Sequence, residues 1–114
     1  MRHTIITAAL LFSLAPPIMA DTPTGNPVEG QRLFMTYGCY QCHGTTGAGG
    51  VAGPKLAPDP LPLEGIRAKL RTPSGRMPVY TPKVISDAEI ADIVAYLHSI
   101  PPGLPARDIP LLNH

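Results

Sequence analysis

Cys39-Tyr40-Gln41-Cys42-His43 constrains this chain more than any other five residues. Two thiols three positions apart can each bond one of the two vinyl groups of a haem. A histidine directly after the second cysteine is then held beneath the porphyrin, where its imidazole can bind the iron. A C-x-x-C-H run therefore reads as a c-type haem attachment site, whereas a bare C-x-x-C fits a redox dithiol or half of a zinc site. A structural zinc site needs four Cys/His ligands, and the chain has no third cysteine and no second ligand pair. A thioredoxin-like dithiol needs a βαβ setting, and no convincing strand pattern is present. The expectation is one haem c, attached covalently through Cys39 and Cys42, with His43 as an axial iron ligand.

At 114 residues the chain is one domain at most. Residues 1–20 read as a secretory signal: Arg2 and His3 are cationic, Ile5 to Ala15 form a short apolar run, and Ala20 precedes the polar Asp21-Thr22-Pro23. Cleavage after Ala20 is expected, although Ile18 stands where a second small residue is preferred. An uncleaved anchor is disfavoured because the run is short and Pro16-Pro17 interrupt it. Removal of residues 1–20 leaves 94 residues, with eight Lys/Arg against eight Asp/Glu. That balance argues against nucleic acid, which calls for a basic excess. The expected location is the periplasm, with no membrane span after cleavage. A domain this small buries a modest core, and a porphyrin would supply much of the missing apolar interior.

Residues 21–27 form a polar lead-in, 28–100 the folded domain and 101–114 a Pro-rich tail. Asn26, Pro27 and Glu29 have the spacing of a cap, a first helical proline and a capping box. Gly30, Leu33, Phe34 and Tyr37 repeat at i, i+3, i+4 and i+7, one helix face, and Gly38 ends the helix. Glycines 44, 47, 49, 50 and 53 mark a loop, and Pro54, Pro58, Pro60 and Pro62 are expected to keep the chain extended through Leu63. A short helix is expected over 64–72, with Ile66 and Leu70 inward and Arg67, Lys69 and Arg71 outward. The last helix has Ser86 as cap, Glu89 completing a capping box, Asp87 in the first turn, and Ile90, Ile93, Val94 and Leu97 on one face. Pro101-Pro102-Gly103 ends it.

An electron carrier needs a second axial ligand, and Met/His ligation raises the reduction potential. Met1 and Met19 leave with the signal, and Met35 lies on the helix entering the motif, poorly placed to reach the opposite haem face. Met77 lies 34 residues beyond His43, far enough to wrap around the porphyrin edge. Pro78 stiffens the loop and restricts Met77 to extended backbone angles. His98 falls on the outward side of the last helix, and His114 is too near the chain end.

With these pieces in place the chain resembles class I monohaem cytochromes c of the small bacterial periplasmic type. The resemblance runs from Val28 to Ile100. It rests on Gly30 and Phe34, Gly38-Cys39-x-x-Cys42-His43-Gly44, Gly53-Pro54-x-Leu56, Met77-Pro78 and Ala95-Tyr96-Leu97. It implies an all-α cytochrome c fold, with three to four short helices and Gly/Pro-rich loops wrapped around one covalent haem. It further implies that Gly30 and Tyr96 meet where the first and last helices cross, and that the Pro54 carbonyl accepts a hydrogen bond from the His43 ring. The Pro58–Pro62 run and the tail match no part of that pattern.

The expected function is one-electron transfer between redox proteins (a periplasmic dehydrogenase, an oxidase or another cytochrome), as a soluble shuttle or as a subunit of such a complex. Arg67, Lys69, Arg71 and Arg76 form a cationic run, either a solvated face or a contact for haem propionates or an acidic partner. The competing class is a haem enzyme or gas-binding protein with an open or displaceable sixth iron position. No acid/base pair in the sequence supports it.

Overall fold

A computed structural model describes residues 24–112, so the expected signal over 1–20, Met1, Met19 and His114 lie outside the described residues. Among the described residues the regular structure is helical throughout: α1 (Pro27–Thr36), α2 (Tyr40–His43), α3 (Leu63–Arg71) and α4 (Asp87–Ser99), followed by two short 3-10 turns, Ala106–Asp108 and Pro110–Leu112. The all-α expectation holds.

Helix α1 starts where the sequence places it. Asn26 Oδ1 accepts from the amides of Val28 (2.9 Å) and Glu29 (3.3 Å), and Pro27 occupies the first turn, where its missing N–H costs nothing. The reciprocal half of the expected capping box does not form. Glu29 turns to Arg32 instead, and the Asn26 amide donates to Asp92 Oδ1 at 2.6 Å, a carboxylate on α4. The cap thus doubles as a tie between the first and last helices.

The end of α1 is a Schellman motif. Gly38 adopts φ +74°, its amide donates to Met35 O (3.1 Å), and the Cys39 amide donates to Phe34 O (3.1 Å). A side chain at that φ would be strained, so glycine is required here.

Helix α4 follows expectation closely. Ser86 Oγ accepts from the Glu89 amide (3.3 Å), while Glu89 Oε2 accepts from the Ser86 amide (2.8 Å), a complete capping box. Ile90, Ile93, Val94 and Leu97 are buried, as are Ala95 and Tyr96, and His98 is exposed. This face packs on Leu33 and Phe34 of α1, with the Phe34 and Tyr96 rings 5.6 Å apart. Each such apolar side chain contributes about 1.5–3 kcal/mol on burial. The crossing is close because of Gly30, where an added Cβ would run into the Asp92 carbonyl and stand 2.9 Å from Tyr96 Cβ. Helix α3 also packs on α4, with Leu70 in the core and Ile66 half-buried.

Two further expectations fail. The chain does not run extended from Pro54 to Leu63: the Ala57–Pro58 peptide is cis and Asp59 has φ +60°, so the segment bends, and Leu63 already belongs to α3. Nor do Arg67 and Arg71 point freely outward. Arg71 Nη2 donates to Asp87 Oδ1 (2.7 Å) and Ile85 O (2.9 Å), its Nη1 donates to Tyr80 O (2.7 Å), and Arg67 pairs with Glu64 beside Asp87. Tyr80 and Asp87 lie beyond the turn that follows α3, so these partners reach the helix only by folding back.

Candidate haem site

The capping motif that ends α1 delivers the first cysteine. Cys39 is the residue whose amide is fixed by Phe34 O, and the next turn is wound by Cys42 N to Cys39 O (3.3 Å) and His43 N to Cys39 O (3.0 Å). C-x-x-C-H is therefore one helical turn, with positions 39 and 42 neighbours on one face. Both thiols are free. Cys39 is half-buried and burial pushes its thiol up to about 11, so it is protonated at neutral pH; Cys42 is exposed.

His43 is buried, and its Nδ1 lies 2.8 Å from Pro54 O. A carbonyl only accepts, so Nδ1 carries the proton and Nε2 keeps its lone pair, the arrangement that metal-ligating histidines adopt. The Gly-rich loop makes this approach possible. A Cβ on Gly53 would lie 2.9 Å from Cys42 O and 3.0 Å from the His43 ring. The loop is pinned back by Gly49 N to His43 O (2.8 Å), Leu56 N to Gly47 O (2.7 Å) and Tyr96 OH to Thr45 O (2.8 Å).

Met77 is half-buried against the core, whereas Met35 is 39% exposed on α1. Tyr80 went unrecognised in the sequence. It packs on the same core, its hydroxyl donates to Tyr37 O (3.2 Å), and its phenol is pushed up by burial and by the neighbouring Cys39 and Cys42 thiols. The available signal was an aromatic three residues beyond Met77, closing the Pro/Gly run.

The donor set fits haem c. Two unpaired thiols on one turn suit its two vinyl groups, and a buried imidazole with a free Nε2 follows them directly. Tyr40, Leu56, Leu63, Ile66, Met77 and Tyr80 rest against the core only partly covered, leaving apolar surface that a flat apolar group would shield. Of the four cations in the 67–76 run, Arg67 and Arg71 are engaged within the chain, while Lys69 and Arg76 are exposed.

Over residues 25–97, well over half its length, the chain matches the family described as cytochrome c oxidase, cbb3-type, subunit III. Neither the curated proteins nor the solved structures include a match.

Proposed function

Because the chain belongs to this cytochrome c family and so carries a haem c-binding electron-transfer domain, we propose that it is a periplasmic one-electron carrier whose haem is attached through Cys39 and Cys42 and ligated by His43 and Met77. The observation that carries the reading is the 2.8 Å approach of His43 Nδ1 to Pro54 O, which leaves Nε2 free directly after two unpaired thiols. Bound haem supplies a reversible ferric/ferrous couple. The chain does the rest. The cysteine pair tethers and orients the group, and the Pro54 carbonyl holds the His43 ring and raises its basicity. Met77 would supply the second iron ligand in place of exogenous ligands and, as a thioether, would favour a higher potential than a second imidazole. Donor and acceptor redox proteins would be the source and the sink of its electrons.

A ferric visible spectrum tests the ligand pair. A thioether-to-iron charge-transfer band is expected in the native protein, absent in Met77→Ala and retained in Met35→Ala. A high-spin native spectrum would replace this reading with that of an open haem enzyme or gas-binding protein. Cell fractionation tests the location, and recovery in the cytoplasm would refute it.

The family's description favours a second reading, that of a permanent oxidase subunit. Leu104, Leu111 and Leu112 are exposed on the tail and would be its anchor. Deleting residues 104–114 should then weaken copurification with the complex without altering the haem spectrum, whereas unchanged copurification removes the tail from that role.

A further inference from the structure

Residues 72–79 form a loop with Met77 near its far end, and that end is fastened through Tyr80. The Tyr80 amide donates to Leu70 O at 2.9 Å, closing the loop onto the last turn of α3. Arg71 locks that closure from the side: Nη1 donates to Tyr80 O, while Nη2 reaches Ile85 O and Asp87 Oδ1. The Arg71 side chain is only 18% exposed, so these charge-assisted bonds are screened less than a surface pair. A circuit results. Arg71 holds Tyr80, the Tyr80 hydroxyl holds Tyr37 O, the Tyr37 hydroxyl holds Glu89, and Glu89 and Asp87 share the first turn of α4. Between Thr72 and Val79 the residues other than Pro73 and Met77 are exposed, so the position of Met77 depends on where the loop ends are held.

We propose that Arg71 is a positioning residue for Met77: by locking Tyr80 it sets how readily Met77 yields its place to another ligand. The inference rests on Met77 being the second axial ligand. A guanidinium fork serves two carbonyls and a carboxylate at once, which a lysine ammonium on its flexible stem cannot match. Loosening the lock raises the fraction of molecules with Met77 displaced, and apparent affinity for a competing ligand rises with that fraction.

The test is imidazole titration of the ferric holoprotein at fixed pH, followed at the thioether-to-iron band. Arg71→Lys is expected to bind imidazole about tenfold more tightly than wild type, with unchanged far-ultraviolet circular dichroism. Should it fail to fold, Asp87→Asn removes the negative charge from one of the three Arg71 acceptors and should tighten binding about threefold. Ile93→Val is the control, since it lowers global stability from the core face of α4 without touching the Arg71–Tyr80 hydrogen bonds and should leave imidazole affinity within twofold. Unchanged affinity in the Arg71 and Asp87 variants, or an equal rise in Ile93→Val, overturns the assignment. If the band is present in wild type but the variants do not move, the lock fails and the Met77 reading stands. If wild type lacks the band, the Met77 reading fails and takes this inference with it.

Discussion

The Tyr37 hydroxyl donates to Glu89 Oε1 at 2.8 Å, tying the C-cap of α1 to the first turn of α4 across 52 residues of chain. The other oxygen of the same carboxylate accepts from the Ser86 amide and hydroxyl. One side chain therefore starts a helix and joins it to another. The Ser86 amide first, then the Tyr37 and Ser86 hydroxyls, hold the Glu89 carboxyl below its ordinary 4.5.

That depression has a sign. In the window below 4.5 the unfolded chain binds the Glu89 proton more readily than the folded one, so this contribution is full above the window and is lost as pH falls through the folded value. Urea denaturation at several pH values should show Glu89→Gln less stable than wild type at pH 7, with the gap narrowing below about pH 4.5. A gap independent of pH would remove Glu89 as a source of acid sensitivity.

Gly30→Ala should be severe. The new methyl meets the Asp92 backbone carbonyl, which cannot rotate away, and Tyr96 Cβ on the same helix. Overpacking of this kind costs about 3 kcal/mol, read as a fall in the urea midpoint. Gly50→Ala is the matched case: nothing lies within 4 Å of its added Cβ, and stability should stay within about 0.5 kcal/mol. Similar losses at both positions would mean that the helix crossing is not the cause.

What could be read from the sequence and what could not divide along one physical line. Ser86 and Glu89, the Gly38 cap and the C-x-x-C-H turn rest on partners a few residues away, so spacing alone specifies them. The Asn26 side chain caps α1 as its spacing predicts, but its own amide goes to Asp92, 66 positions distant, and no local pattern records that. Helical periodicity places Arg71 off the Ile66–Leu70 face and so predicts it outward. Its acceptors at Tyr80, Ile85 and Asp87 arrive only when the chain folds back over α3. Tyr80 was missed for the same reason, since its three hydrogen bonds all go to other segments.

Gly53→Ala probes the His43 contact, since the Pro54 carbonyl cannot be deleted by substitution. The added methyl crowds Cys42 O at 2.9 Å and the His43 ring at 3.0 Å, which pushes the Pro54 segment off the ring. With His43 on the iron, as proposed, a weakened Nδ1–H donation lowers its basicity and disfavours the ferric state. A net hydrogen bond of about 1 kcal/mol corresponds to roughly 40 mV for one electron at 59 mV per tenfold. Redox titration should therefore place the variant roughly 40 mV above wild type, and a lower potential would reverse the assigned role of Pro54.

Truncation after Gly103 separates stability from assembly. Leu104, Leu111 and Leu112 are 70%, 80% and 63% exposed, and of residues 104–112 Ile109 is the one that is half-buried. The 3-10 turns are closed by bonds within the tail, Asp108 N to Pro105 O (2.8 Å) and Leu112 N to Ile109 O (3.0 Å), so deletion removes donors together with their acceptors. Neither the donor nor the acceptor of these two bonds is left behind on the domain. The urea midpoint of the holoprotein should therefore change by no more than about 0.5 kcal/mol equivalent. A loss of 2 kcal/mol or more, on the order of a deleted core side chain, would instead make the tail part of the folded domain.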